Sequence, residues 1–136
     1  MELNIGCPDG YQFDANFASE LATKHPTATL PQITSDPKAA VENADAVYTD
    51  VWASMGQEKE ESQRRNDFAS FQVNADLMSV AKPNASFLHC LPAKRGVEVT
   101  DEVLDGSQSA VVQQAGNRMH AQKAVLDFLL TRATIS

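Results

Sequence analysis

Cysteine and positive charge are both scarce in this 136-residue chain. The two cysteines, Cys7 and Cys90, cannot form the disulfide framework of a small secreted domain, so we expect a reduced, cytoplasmic protein. The chain has 11 Lys and Arg residues but 18 Asp and Glu residues, which gives a net charge of -7. This charge argues against a nucleic-acid or anionic-membrane surface, which needs clustered basic residues. No apolar run approaches the roughly 20 residues of a membrane-spanning helix, and no signal-peptide pattern opens the chain.

Several well-known functional motifs are also missing. Neither GxGxxG nor GxxxxGK[ST] occurs, so a nucleotide phosphate loop is excluded and no cofactor is expected. CxxC and HExxH are absent, and the spacing of His89, Cys90 and His120 matches no common zinc pattern. We therefore expect no metal. The nucleophile elbow GxSxG is absent too, which argues against Ser-His-Asp hydrolysis.

The pattern that is present alternates short strands with helices. With 43% hydrophobic residues, the chain is long enough for one domain with a sizeable core. We predict strands at 3–7, 30–34, 46–50, 86–90 and 109–113, and helices at 14–24, 36–43, 71–81, 100–106 and 117–130. Asp36 and Pro37 form a typical helix start, and 46–50 resembles a strand buried on both faces. The fold class is therefore α/β, with a Rossmann-like parallel sheet flanked by helices.

Reactive side chains follow two of these predicted strands. Asp50 and Ser54 come after one strand, and Cys90 comes after His89 at the end of another. In open parallel sheets, ligands bind in the crevice outside the carboxyl ends of the strands. A carboxylate, a hydroxyl, a thiol and an imidazole at such positions indicate a small-molecule site.

Ordinary structural roles remain open for each of these residues. Asp50 can simply cap the turn that follows its strand, and a lone Cys90 is more often inert than reactive. Cys7 is assigned such an inert, buried role, and His89 a structural hydrogen bond. Arg118 lies near the predicted start of the last helix, where a cation opposes the helix dipole. That placement suggests a function, although an ordinary exposed arginine is the alternative.

Four segments in order along the chain carry a family resemblance. They are Asp50-Val-Trp-Ala-Ser-Met-Gly-Gln, His89-Cys-Leu-Pro-Ala, Glu98-Val-Thr-Asp-Glu-Val-Leu-Asp-Gly and Asn117-Arg-Met-His. Together they resemble the C-terminal, ornithine-binding domain of the ornithine carbamoyltransferases, over about 3–130. The resemblance implies that 1–136 is a single ornithine-binding domain. It also implies that the carbamoyl-phosphate domain is absent, along with the first strand and helix of the family's ornithine domain.

The resemblance further implies a reaction and a set of substrate contacts. The family transfers a carbamoyl group from carbamoyl phosphate to the δ-amine of ornithine, forming citrulline and phosphate in arginine biosynthesis. Asp50 matches the carboxylate that accepts the ammonium group of ornithine. Ser54 and Met55 match a mobile loop that closes over the amino acid, and Gly56 gives this loop backbone freedom.

Three further residues are matched to the reacting carbamoyl group. Cys90 matches a thiol that positions the amine beside the reacting centre without forming a covalent intermediate. The carbonyl of Leu91 would accept from the carbamoyl NH2 group. Arg118 matches the arginine that donates to the carbamoyl oxygen, so Cys90 and Arg118 are the expected catalytic residues. Gly116, which replaces a residue of the usual family pattern, is expected to loosen the turn that aims Arg118.

The missing strand is central in the family's sheet, so its absence should expose unpaired strand edges. We therefore expect the chain to form a homo-oligomer or to pair with a complementary N-terminal portion, and to be inactive when isolated. The alternative is a different class of protein: a non-catalytic, self-associating α/β fragment or an amino-acid-binding module.

Overall fold

The computed structural model describes residues 2–53, 56 and 58–133, in which short parallel strands alternate with helices. The elements in chain order are β1 (Asn4–Gly6), α1 (Ala15–Lys24), β2 (Gln32–Thr34), α2 (Pro37–Val41), β3 (Ala46–Thr49), α3 (Glu61–Asp67), α4 (Ala75–Met78), β4 (Ser86–His89), α5 (Asp101–Leu104) and α6 (Val111–Ala133). Two short 3-10 turns, Glu58–Glu60 and Ala69–Phe71, flank α3. This order confirms the predicted α/β class.

Local side-chain chemistry starts both α1 and α2. The carboxylate of Asp14 accepts from the backbone N–H of Asn16 at the start of α1. Asp36 accepts from the N–H of Lys38 ahead of Pro37, which confirms the predicted helix start. Each cap satisfies an N–H group that has no partner inside its own helix.

The strands form two separate parallel ladders instead of one continuous sheet. β1 pairs with β2, with Ile5 opposite Ile33, and β3 pairs with β4, with Thr49 opposite His89. Among the described residues no ladder joins β1 to β3, and a groove of about 600 Å³ is lined by both strands. The gap lies where a central strand would complete the sheet, in agreement with the expected loss of one strand.

The hydrophobic core is concentrated around β3 and β4. Phe87 and Val99 are completely buried, and residues from α2, β3, α4, α5, the start of α6 and the segments that connect them contribute the rest. The buried cluster consists of Val41, Val47, Val73, Leu77, Met78, Ala81, Ala85, Phe87, Val99, Val103, Leu104 and Val111. The part of the chain from α2 to the start of α6 therefore carries most of the burial that stabilises the fold.

The N-terminal unit of β1, α1 and β2 is much less buried. Cys7 is its one buried residue among those described. Phe17 in α1 is 51% exposed, and it stacks on Phe13, which is also exposed. The apolar stripe predicted for 14–24 therefore lies on a helix that does not bury it.

Strand β3 is buried on one face only. Val47 is buried, whereas Tyr48 is 55% exposed. The prediction of a strand covered on both sides is wrong, because the face that carries Ala46 and Tyr48 is left exposed.

The predicted fifth strand is wrong, and the last helix begins earlier than predicted. Ser109 makes only an isolated bridge to Phe87, and Val111 already starts α6. The N–H of Gln114 donates to the carbonyl of Ala110 at 2.8 Å, closing the first helical turn. The predicted helix 71–81 is likewise reduced to α4, because Val73 is extended and forms a parallel bridge with Val99.

Helix α6 extends well beyond the core over its 23 residues. Val125, Leu126 and Leu129 are each more than half exposed, so the apolar side of its second half lies open. No helix in the described ranges is both long and apolar enough to cross a bilayer.

Gly116 lies inside α6, not in a turn, so the expectation of a loosened turn at this position is wrong. An added Cβ would meet no atom within 4 Å. Because glycine costs a helix interior roughly 1 kcal/mol relative to alanine, we expect Gly116→Ala to raise the free energy of unfolding by about that amount. Urea unfolding followed by circular dichroism measures the change. Ala115→Gly is the matched control and should lower it, and equal stability of both variants would contradict a helix at this position.

Candidate functional site

The parallel pairing of β3 and β4 brings two of the predicted site residues together. Thr49 lies opposite His89 in the ladder, so the residues that follow, Asp50 and Cys90, leave the sheet side by side at its carboxyl edge. The Cys90 thiol donates to Oδ1 of Asp50, with Sγ and Oδ1 3.0 Å apart. The two predicted strand ends therefore form one cluster.

The Asp50 carboxylate has one occupied and one open side. Oδ1 accepts from the thiol and also from the N–H of Val51 at 2.7 Å, so Asp50 caps the turn as well as contacting Cys90. Oδ2 has no hydrogen-bond partner among the described residues, and the side chain is exposed. An anionic oxygen that is fixed by its neighbour and open to solvent is suited to bind a cationic group.

Cys90 is held as a neutral thiol. Its hydrogen bond to the Asp50 carboxylate, followed by partial burial, raises the pKa of the Cys90 thiol. A thiol with a raised pKa is a poor nucleophile, because the thiolate is the reactive form. The group at this position therefore acts as a hydrogen-bond donor.

Tyr48 is a neighbour of this cluster that the sequence analysis missed. Burial, followed by a hydrogen bond with Cys90, raises the pKa of the Tyr48 phenol. Tyr48 and Asp50 are two positions apart, which places them on the same face of an extended chain. That period-2 spacing is the signal by which Tyr48 could have been found.

His89 supports the loop behind the cluster and is fully buried. Its Nδ1 accepts from the N–H of Leu91 at 2.9 Å, and its Nε2 lies 3.2 Å from Oε1 of Glu98. Because Nδ1 is an acceptor, the network assigns the ring proton to Nε2, which donates to Glu98. The structural hydrogen bond predicted for His89 is confirmed.

Glu98 is the second buried member of this network and was not singled out as a site residue. It is fully buried, and its Oε1 also accepts from the N–H of Lys94 at 2.5 Å. Its Oε2 has no partner among the described residues. A carboxylate between two valines, Val97 and Val99, is the sequence signal for such a buried anchor, since an unpaired charge is rarely buried.

Leu91 has the most unusual backbone of the site. Its φ is +56°, in the left-handed region that is uncommon for residues other than glycine. Such strain persists where surrounding contacts determine the conformation, and here the N–H of Leu91 is bound by His89. This hydrogen bond fixes the peptide group between Cys90 and Leu91, and with it the direction in which the chain leaves β4.

Arg118 lies on α6, away from the Asp50–Cys90 contact. Gln114, one helical turn earlier, accepts from the N–H of His89 at 2.9 Å. Residues four positions apart share a helix face, so Arg118 lies on the side of α6 that approaches the end of β4. It is exposed, and the structure gives it no ion pair or hydrogen bond with another described residue. As the eighth residue of α6, it does not lie in the first turn, and the predicted conflict with the helix dipole is wrong.

The remaining predicted residues belong to the loop after β3. Ser54 and Met55 lie outside the described residues. Gly56 has a φ of +91°, a conformation that glycine adopts without the steric cost a side chain would add.

The donor atoms of Asp50, His89 and Cys90 lie within 4.8 Å of one another. However, both ring nitrogens of His89 are engaged, by Leu91 and by Glu98. A metal ion would have to break one of these buried hydrogen bonds, so the cluster fits a hydrogen-bonded site better than a metal centre.

The chain is similar to a described protein family over most of its length. Residues 1–129 match the family model for the aspartate/ornithine carbamoyltransferase Asp/Orn binding domain. An ornithine carbamoyltransferase of Methanobrevibacter smithii is 54% identical over 129 residues, covering 93% of this chain and 42% of the relative. One from Halalkalibacterium halodurans is 54% identical over 133 residues, covering 96% and 41%. The chain therefore spans about two fifths of the length of these relatives.

Solved structures give the same result. The ornithine carbamoyltransferase of Pyrococcus furiosus superposes with a TM-score of 0.79 at 48% identity, covering 92% of this chain and 40% of the other. The anabolic enzyme of Campylobacter jejuni gives a TM-score of 0.85 at 33% identity, covering 96% and 44%. The arrangement of strands and helices described above is thus shared with these proteins.

We predict that Glu98→Ala lowers the free energy of unfolding by about 3 kcal/mol, because it leaves the buried donors of His89 and Lys94 without an acceptor. Glu98→Gln retains an acceptor oxygen and should lose less. Urea unfolding at one protein concentration measures both variants. Glu42→Ala, at an exposed position, is the control and should change stability little. Equal losses in Glu98→Ala and Glu42→Ala would show that the buried network does not support the loop.

We also predict that Cys90 reacts with iodoacetamide only at a higher pH than an unstructured cysteine peptide does. The reason is the raised pKa of its thiol. The thiol keeps its proton, and with it the hydrogen bond to Asp50, at neutral pH, and it loses both as the pH rises through its pKa. Rates are measured against pH in a Cys7→Ser background. Asp50→Asn should move the midpoint to lower pH, whereas Asp45→Asn should not. An unchanged midpoint in Asp50→Asn would contradict this assignment.

Proposed function

This chain belongs to the aspartate/ornithine carbamoyltransferase family, and we propose that it is the acceptor half of an ornithine carbamoyltransferase. The observation that carries the proposal is the contact between the Cys90 thiol and the Asp50 carboxylate at the carboxyl edge of β3 and β4. A neutral donor orients the carboxylate there and leaves its second oxygen open.

Asp50 binds the α-ammonium group of ornithine in this proposal. A carboxylate that accepts from a cationic amine forms a charge-assisted hydrogen bond, which is about twice as strong as a neutral one. Cys90 keeps Oδ1 occupied, so Oδ2 is directed to the ligand. Ser54 and Met55 are proposed to close over the amino acid, with Gly56 as the flexible position of that loop.

The net charge of the substrate favours ornithine over aspartate. The amine that reacts must be neutral. Ornithine then still carries one ammonium and one carboxylate, whereas aspartate, whose only amine is the reacting one, carries two carboxylates and no cation. A second anion beside the open oxygen of Asp50 would be repelled. The chain's net charge of -7 acts in the same direction.

The reacting carbamoyl group would lie between Leu91, Cys90 and Arg118. The carbonyl of Leu91, which follows Cys90 in the chain, accepts from the carbamoyl NH2 group. Arg118 donates to the carbamoyl oxygen, where negative charge develops in the tetrahedral transition state. Donors of this kind are typically worth about 2.7–4 kcal/mol, and aligning the two substrates supplies more.

The chemical step is a direct transfer. The neutral δ-amine attacks the carbonyl carbon of carbamoyl phosphate, a C–N bond forms, the C–O bond to phosphate breaks, and the amine proton is released. The raised pKa of the Cys90 thiol favours positioning by a neutral donor over a covalent intermediate. A donor thiol also requires a reducing compartment, which supports a cytoplasmic setting.

Phosphate binding must come from elsewhere in this proposal. The chain carries no cluster of basic residues of the kind that holds a phosphate, and it spans about two fifths of its relatives. We therefore propose that the isolated chain does not form citrulline and that it needs a complementary N-terminal portion.

The alternative function is a non-catalytic, self-associating module. The exposed apolar side of α6, with Val125, Leu126 and Leu129, favours it. In this alternative, a homo-oligomer covers this surface, and the Asp50 cluster is inherited from the family without binding a substrate.

The test is citrulline formation from ornithine and carbamoyl phosphate. The chain is assayed alone and mixed with the part of the Methanobrevibacter smithii relative that lies outside the match. We expect activity only in the mixture, with a loss of at least about 100-fold in Asp50→Asn, because the charge that binds ornithine is removed. The control variant Asp45→Asn, which lies beyond the other end of β3, should retain the activity of the mixture.

No citrulline formation by the mixture, together with concentration-dependent assembly of the chain in sedimentation experiments, would favour the non-catalytic module. Activity that survives Asp50→Asn would contradict the proposed role of this carboxylate.

A further inference from the structure

Helix α3 contacts both the segment that follows β3 and the N-terminal unit. Trp52, two residues after Asp50, stacks on Phe68 with the ring centroids 5.8 Å apart. Phe68, which ends α3, also meets the ring of Tyr11 edge-on at 4.7 Å. Tyr11 belongs to the turn after β1. Three segments that are distant in the sequence therefore meet at the end of α3.

One arginine of α3, Arg64, joins these segments by polar contacts. Its Nη1 donates to the backbone carbonyl of Trp52 at 3.3 Å, and its guanidinium carbon lies 5.3 Å from the centre of the Tyr11 ring. Nε and Nη2 each lie 3.0 Å from Oε2 of Glu60, four residues earlier. The Arg64 side chain is only 21% exposed, so these contacts are partly shielded from water.

These contacts need the shape of arginine as well as its charge. A guanidinium group is planar and carries five donors, so it can bond to Glu60 and to the Trp52 carbonyl while one face lies on an aromatic ring. The ammonium group of a lysine carries its three donors on a single atom and cannot make the whole set.

The carboxylate of Asp50 depends on the segment that Arg64 holds. Within the site, Asp50 is fixed by the N–H of Val51 and by the thiol of Cys90, and the chain then leaves β3 toward Trp52. We propose that Arg64 is a positioning residue. Through the carbonyl of Trp52 it fixes the segment after β3, and with it the direction in which Asp50 presents its open oxygen. The inference rests on the proposed function in so far as this oxygen binds ornithine.

A second contact of α3 reaches the other loop of the site. Nζ of Lys94 lies 2.8 Å from Oε1 of Glu61, which is three residues before Arg64 and shares its helix face. The two side chains are 45% and 47% exposed, and exposed ion pairs contribute little. The shielded contacts of Arg64 are therefore the ones expected to position the site.

The single tryptophan of the chain makes the segment observable in the isolated protein. Acrylamide quenching of Trp52 fluorescence is measured in the unaltered chain and in Arg64→Lys. We expect the substitution to raise the quenching constant at least about twofold, because the segment opens locally once the Trp52 carbonyl loses its donor. Arg65→Lys is the matched control. Arg65 is exposed and has no hydrogen bond or ion pair with another described residue, so quenching should stay as in the unaltered chain.

Two variants of Tyr11 test the same assignment from the N-terminal unit, and they decide it even where Arg64→Lys does not fold. Tyr11→Leu removes the ring on which the guanidinium lies, so it should also raise the quenching constant. Tyr11→Phe keeps the ring and loses only the hydrogen bond from the hydroxyl to Asp67, at 2.8 Å. This variant should leave quenching nearly unchanged.

The reaction with iodoacetamide reports the direction of the Asp50 carboxylate in the same isolated chain. When Asp50 turns away from Cys90, the thiol loses the acceptor that stabilises its protonated form. We therefore expect Arg64→Lys to move the midpoint of the Cys90 reaction to lower pH, in the same direction as Asp50→Asn. Arg65→Lys should not move it.

The effect on the reaction is measured in the mixture with the complementary part of the Methanobrevibacter smithii relative. Asp50 is proposed to hold the end of ornithine that does not react. We therefore expect Arg64→Lys to raise KM for ornithine by about three- to tenfold while kcat falls by less than about twofold. Arg65→Lys should leave both constants unchanged.

Three results would overturn the inference. They are unchanged quenching in Arg64→Lys, equal effects of Arg64→Lys and Arg65→Lys, and a fall in kcat at constant KM. If the unaltered mixture forms no citrulline, the proposed function is wrong instead. The quenching and iodoacetamide experiments use the chain alone, so they still decide whether Arg64 positions Asp50.

Discussion

The parallel register of β3 and β4 is the constraint on which the site depends. With Thr49 opposite His89, the next residue of each strand, Asp50 and Cys90, must leave the sheet at the same edge. A slip of one residue would turn every side chain of the strand to the other face. Phe87, fully buried in β4, opposes such a slip because it would have to leave the core.

Stability is distributed unevenly around that register. The core surrounds β3 and β4 and includes the buried pair of His89 and Glu98, whereas the unit of β1, α1 and β2 buries little. Local opening free energies follow the burial of apolar surface. The loop with the strained Leu91 is therefore attached to the well-buried part of the molecule around β3 and β4. The groove between β1 and β3 lies between this part and the less buried unit of β1, α1 and β2.

Predictions from sequence are correct where local chemistry decides the structure. Asp36 and Pro37 identified a helix start, and the polar residues after two apolar runs identified the carboxyl edge of the sheet. The prediction at Val111 is wrong, because β-branched residues there favour a strand locally while a turn closed by Ala110 and a contact of Gln114 with His89 favour the helix. The role of Glu98 depends on its contact with His89, nine residues away, which forms only in the folded chain.

The protonation state of Cys90 links the fold to the chemistry. A thiolate beside the Asp50 carboxylate would place two negative charges about 3 Å apart, at the distance of the observed contact, and the mutual repulsion disfavours this state. The thiol therefore remains neutral and donates, which leaves one negative charge for one cationic ligand. What cannot be exchanged is the pairing of one anion with one neutral donor, because a second anion or a cation beside Asp50 would change the single negative charge on which the proposed binding of an ammonium group depends.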